Sequence, residues 1–169
     1  MMKEPFCLSG GVEVDKMSVD DVVNGSKKRI LVIEDSPQHL ADARQVLDSK
    51  EGVEAVYATT YRQARSILQQ EPPVDGIITD IYFPYMDDEM YNQPEPIGVR
   101  VAVEAAKEGT PFVMCTAGYH HGKRYQWISE LAWMQDWDFV EPAHHYDVEH
   151  DAPKKDWEQA YSTLEAKLR

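Results

Sequence analysis

A chain of 169 residues with 43% hydrophobic and 28% charged residues has the make-up of one globular domain. Its formal net charge of -13 counts against nucleic acid or an anionic membrane as a direct partner, because both repel carboxylates. No stretch is long and apolar enough to span a bilayer, the N-terminus lacks a signal pattern, and two cysteines in unlike surroundings, Cys7 and Cys115, suit a reducing cytoplasm better than a disulfide.

Residues 1–26 contain Gly10-Gly11, scattered acids and only short apolar groups, and are expected to form a flexible N-terminal extension. Lys27-Lys28-Arg29 then lead into Ile30-Leu31-Val32-Ile33, whose unbroken apolar run predicts a buried strand with Glu34-Asp35 at its end. Ser36-Pro37 supply a cap and a first-turn proline for a helix carrying Leu40, Ala43, Val46 and Leu47, which Gly52 ends. Val53 to Ala58 predicts a second strand. Thr59-Thr60 offer caps for a helix with Ala64, Ile67 and Leu68, and Pro72-Pro73 close it.

Gly76-Ile77-Ile78-Thr79-Asp80 is the third strand, ending in a lone carboxylate with Pro84 beyond it. After an acidic segment broken by Pro94 and Pro96, regular structure is expected to resume near Ile97, as a helix closed by Gly109. Pro111 to Thr116 forms the fourth strand, followed by a loop with His120-His121 and a helix carrying Tyr125, Ile128, Leu131 and Ala132 together with Trp127 and Trp133. Asp138-Phe139-Val140 predicts a short fifth strand, stopped by Pro142, with His144-His145 after it. The final helix, from about Pro153 to the end, carries Trp157, Tyr161, Leu164 and Leu168 as a core stripe. Strands and helices that alternate in this way predict an α/β, flavodoxin-like (βα)5 doubly wound parallel sheet with strand order 2-1-3-4-5.

A parallel sheet presents every strand's carboxyl end on one edge, so Glu34, Asp35, Asp80 and Thr116 are expected to converge there. Like charges at close range disfavour one another's ionised form. A divalent ion relieves that repulsion, and Mg2+ (or Mn2+) suits carboxylates with phosphate oxygens and water. An aspartate beside such an ion can attack a phosphoryl group to form an aspartyl phosphate, with Thr116 placed to hydrogen-bond a phosphoryl oxygen.

Ile33-Glu34-Asp35-Ser36, Thr79-Asp80 with Pro84, and Cys115-Thr116-Ala117, in this order and on these strands, resemble the receiver (CheY-like) domains of bacterial two-component response regulators. The resemblance covers residues 27–169. It implies that Asp80 is the phosphoacceptor, that Asp35 ligates Mg2+ directly and Glu34 through water, that the Tyr82 backbone carbonyl completes the metal site, and that Thr116 is the switching hydroxyl. It further implies a sensor kinase or other signalling protein as partner.

The sequence departs from that family at two places. Glu141, in Phe139-Val140-Glu141-Pro142, stands where receivers usually carry a lysine, which would add a fourth acid in place of a cation; Asp138 takes the place of the usual switch aromatic. The connection after Asp80, residues 85–96, is also about ten residues longer than a receiver needs, with Asp87, Asp88, Glu89 and Glu95 expected to be solvated.

The leading expectation is therefore a stand-alone signalling domain, not an enzyme, phosphorylated on Asp80. A pseudo-receiver that works without phosphorylation is the alternative. A metal-dependent hydrolase using the histidine pairs ranks lower, because adjacent residues rarely aim both rings at one ion. An aspartyl phosphatase is disfavoured by Tyr82, which stands where that chemistry needs an acid. Of Trp127, Trp133 and Trp137, one or two are expected in the core and the remainder on a docking surface.

Overall fold

The computed structural model describes residues 27–87, 94–118, 126–142 and 154–168. The expected extension over residues 1–26 lies outside them, as do His120, His121, His144, His145, Asp88 and Glu89. In chain order the elements are β1 (Lys28–Ile33), α1 (Pro37–Leu47), β2 (Val53–Ala58), α2 (Tyr61–Leu68), β3 (Gly76–Thr79), α3 (Ile97–Glu108), β4 (Phe112–Cys115), α4 (Gln126–Met134), β5 (Phe139–Val140) and α5 (Trp157–Glu165).

All the strand pairs are parallel, and the sheet order is β2-β1-β3-β4-β5, as the sequence predicts. Alternate residues of each strand feed opposite faces. Leu31, Ile33, Ile77, Phe112 and Met114 pack with Tyr61, Ala64, Val101, Ala102, Ala105 and Ala132 of α2, α3 and α4. Ile30, Val32, Ile78, Val113, Cys115 and Val140 pack with Ala43 and Leu47 of α1 and with Trp157, Ala160, Tyr161 and Leu164 of α5. Continuous apolar strands are thus buried on both sides, as parallel sheets require.

Local chemistry sets the helix ends. Ser36 caps α1 with Pro37 at the first turn, Thr60 caps α2 by accepting from the Gln63 N–H, and Gly109 closes α3 in the left-handed conformation. The last helix begins at Trp157, where the stripe begins, and not near Pro153 as expected, because Asp156 is its N-cap and accepts from the Gln159 N–H at 2.9 Å. Strand β5 is only two residues long.

The long connection after β3 is closed at its base by an isolated antiparallel bridge between Phe83 and Glu95. Its first leg also lies against α2, where the Tyr61 and Arg62 N–H groups donate to Pro84 O (3.1 Å) and Tyr85 O (3.0 Å). Donors that helix geometry leaves unpaired are thereby satisfied by the connection. The Tyr61 and Tyr85 rings pack 5.1 Å apart, and Asp87 and Glu95 are exposed.

Candidate functional site

Hydrogen bonding continues past the strand ends and fixes two acids side by side. Ile33 pairs with Thr79 in the sheet, Asp80 N–H donates to Ile33 O (2.8 Å), and Glu34 N–H donates to Ala58 O (2.9 Å). As a result Glu34, Asp35 and Asp80 bring carboxylate oxygens within 4.8 Å of one another. Glu34 and Asp80 are buried, and Asp35 is half-buried.

Each acid is held by backbone donors. Ser36 N–H donates to Glu34 Oε1 at 3.0 Å, and Ile81 N–H donates to Asp80 Oδ1 at 2.7 Å. The Thr79 hydroxyl donates to Asp80 O at 2.8 Å. The first turn of α3 presses on the same segment: Gly98 N–H donates to Ile81 O at 2.9 Å, and a Cβ at position 98 would lie 2.0 Å from Asp80 O. Only a residue without a side chain allows this approach.

At the end of β4, Thr116 is buried; its N–H donates to Val140 O (3.0 Å), and its hydroxyl oxygen accepts from Gly118 N–H (3.2 Å). Tyr82 is half-buried in the turn that leaves β3, and Glu141 is half-buried just beyond β5.

The cation of the pocket is Lys155. Its side chain is 1% exposed, and its ammonium lies 2.8 Å from Asp80 Oδ1 and forms a close ion pair with Glu34 Oε2. It enters from the residue immediately before the N-cap of α5, far along the chain from β5. The expectation that Glu141 leaves the pocket without an ammonium is therefore corrected: the cation arrives from a different element. Its only sequence signal was Lys154-Lys155 ahead of a capping aspartate, in a chain where acids far outnumber bases.

Among the described residues, one ammonium beside three carboxylates leaves the cluster net negative. Burial pushes the Glu34 carboxyl up to about 7 against the opposing pull of Lys155, with the Asp80 charge adding to the rise. Burial and then the Asp80 charge also raise Asp35. For Lys155, burial alone would lower the pKa, but the charges of Asp80 and Glu34 outweigh it and hold the ammonium above its ordinary value. His39, on the first turn of α1, places Nδ1 3.8 Å from Glu34 Oε1, a neighbour that the sequence reading did not include.

The donor set tests the expected metal. Among the described residues the clustered donors are three carboxylates, which fit Mg2+ or Mn2+ rather than a thiolate- or imidazole-seeking ion. Both Glu34 oxygens already have partners, Oε1 with Ser36 and Oε2 with Lys155, whereas Asp80 Oδ2 is not the atom that Ile81 and Lys155 hold. Asp35 and Asp80 are accordingly the residues that would hold an ion directly, with Glu34 set back from it.

Away from the pocket, α4 leaves Trp133 (84% exposed), Met134 (70%) and Trp127 (46%) at the surface. Trp137 instead packs edge-on against Phe112, with ring centroids 5.5 Å apart. Among the described residues no helix is long and apolar enough to cross a membrane.

No protein-family model matches the sequence, and no curated protein does at significant similarity. Solved structures match over most of the chain. A response regulator receiver domain protein (CheY-like) from Methanospirillum hungatei aligns at 19% identity and a TM-score of 0.56, covering 85% of this chain and 94% of its own. The non-phosphorylated HemR receiver domain from Leptospira biflexa aligns at 17% identity and 0.55, covering 84% and 94%. The phosphorylated cyanobacterial phytochrome response regulator RcpA aligns at 13% identity and 0.52, covering 83% and 91%. With five parallel strands in the order β2-β1-β3-β4-β5, the chain has the fold of a response regulator receiver domain.

Proposed function

We propose that this chain is a receiver-like signalling domain that is phosphorylated on Asp80 with Mg2+ and acts through protein–protein interaction in the cytoplasm. The observation that carries the reading is the arrangement around Asp80: a buried carboxylate with one oxygen held by the Ile81 N–H and an ammonium, beside a second acid able to hold a cation.

In the proposed reaction an Asp80 carboxylate oxygen attacks the phosphorus of a phosphodonor. A new P–O bond forms as the bond to the donor's leaving group breaks, and the leaving group departs with that electron pair. Bound Mg2+ would supply charge neutralisation to the phosphoryl oxygens. Lys155 and the Ile81 N–H orient Asp80 and offset its charge, while the Thr116 hydroxyl is the group on β4 suited to meet a phosphoryl oxygen. No acid stands two residues after Asp80 to serve a leaving group, so turnover of an external substrate is not part of the proposal. The exposed Trp133 and Trp127 of α4, with Met134 beside them, offer apolar anchors for a sensor kinase or other signalling partner.

A phosphorylation-independent pseudo-receiver is the second reading, favoured by Asp138, which takes the switch position and pairs with Lys167. Incubation with Mg2+ and beryllofluoride separates the two. The first reading expects bound-fluoride resonances and shifts around Asp80 that are absent from D80N. A wild-type protein that stays silent while a control receiver responds would leave the second.

A further inference from the structure

The pocket's cation comes from the flank of a helix, and this has a mechanical consequence. We propose that Lys155 ties the charge state of Asp80 to the first turn of α5, so that this turn, rather than the end of β5, carries a change in the pocket to the rest of the molecule. The inference deepens the receiver-like reading and rests on it for the identity of the physiological signal.

The residues next to Lys155 leave it little independent movement. Its stem is buried with its head, so the ammonium has no route to solvent without a shift of its own backbone. Asp156 follows directly, and adjacent Cα atoms stay about 3.8 Å apart. That residue holds the first turn of α5 twice, because its carboxylate accepts from the Gln159 N–H and its carbonyl accepts from the Ala160 N–H, both at 2.9 Å. Trp157 is buried, its ring lies 5.6 Å from the Lys155 ammonium, and its Nε1 has no hydrogen-bond partner among the described residues. Close-packed interiors transmit displacement instead of absorbing it.

The remainder of α5 is fixed. Beyond the first turn, Tyr161 and Leu164 are buried against the sheet. A change at Asp80, whether by phosphoryl transfer or by loss of its charge, removes or redirects one of the two carboxylates that hold Lys155. The part of α5 able to yield is the capped turn. At β5, by contrast, Thr116 and Val140 are joined by a backbone hydrogen bond that is indifferent to charge.

The test is native-state amide exchange in the wild type, D80N, K155M and the double variant, read at Gln159 and Ala160, together with the Trp157 indole resonance. D80N is expected to speed exchange at these two amides by about tenfold, with no such effect once Lys155 is absent. Should K155M fail to fold, E34Q/K155M, which removes one acid with the cation, takes its place, and protection along β1 and β3 reports an intact sheet. An α5 turn that ignores D80N, or responds equally with and without Lys155, overturns the inference. The beryllofluoride experiment fails separately: without an adduct the receiver reading falls while the D80N coupling stands, and an adduct that leaves α5 unmoved removes the coupling alone.

Discussion

Glu34, Asp35 and Asp80 stand at the ends of strands whose register is set by ladder hydrogen bonds that run past the last strand residue, whereas Lys155 reaches the same pocket from the flank of α5. The acids are placed by the sheet itself, through the pairing of β1 with β3 and the backbone bonds that follow it. The cation is placed by side-chain packing and by its ion pairs, so its position depends on the charges it meets. The pocket thus joins a rigid half to a responsive half.

The sharpest way to break this contrast is to remove the responsive half. K155M leaves two buried carboxylates without their cation and is expected to cost about 3–5 kcal/mol in denaturant unfolding. K155R, which keeps the charge but not the shape, should lose less. A smaller loss for K155M than for a typical core truncation would mean that the acids rearrange and that the rigid half is not rigid.

G98A strikes the rigid half directly. Its new methyl would have to displace the Asp80 carbonyl, so a loss of about 1–3 kcal/mol is expected, together with weaker beryllofluoride binding. Unchanged stability with unchanged adduct formation would show that α3 does not position Asp80.

The pH dependence sharpens the electrostatic side. In the folded protein the Glu34 carboxyl holds its proton up to about 7, while in the unfolded chain it releases it near 4.5, so the folded state binds more protons between these values. Stability therefore falls as pH rises through that window, by at most about 1.4 kcal/mol per pH unit for this one group. In metal-free buffer E34Q should flatten that slope; an identical slope in E34Q assigns it elsewhere.

The smallest effect is expected from E141K. Because the pocket already has Lys155, a lysine beyond β5 should change the rate of phosphorylation by less than about twofold, the size of an ordinary surface substitution. A large acceleration would restore Glu141 to the site.

The contrast also explains what the sequence made legible. Apolar runs such as Ile30-Leu31-Val32-Ile33, alternating with capped helices, give strand order and hence the convergence of Glu34, Asp35 and Asp80, because a parallel sheet leaves their positions no freedom. Lys155 carries no such pattern. Its place depends on how a long connection returns to the sheet, and no periodicity encodes that return. Reading along β5 pointed to Glu141 for the same reason: chain position stood in for spatial position. Gly98 was equally silent, because a close backbone approach leaves no mark except the absence of a side chain. The stripe of Trp157, Tyr161 and Leu164 was legible as core, but the start of α5 was not, since Asp156 and not the apolar pattern fixes it.

The bridge between Phe83 and Glu95 places an entropic boundary beside the pocket. Closing a loop costs free energy that grows only with the logarithm of its length, by about 0.6 kcal/mol for each doubling. With the closing point at the bridge, and with Pro84 and Tyr85 tied to α2, chain added between the two legs would enter beyond the closing point and not at Asp80. The connection after β3 is in this sense a grafting site, where a lineage or an engineer can install new recognition sequence next to the acid cluster.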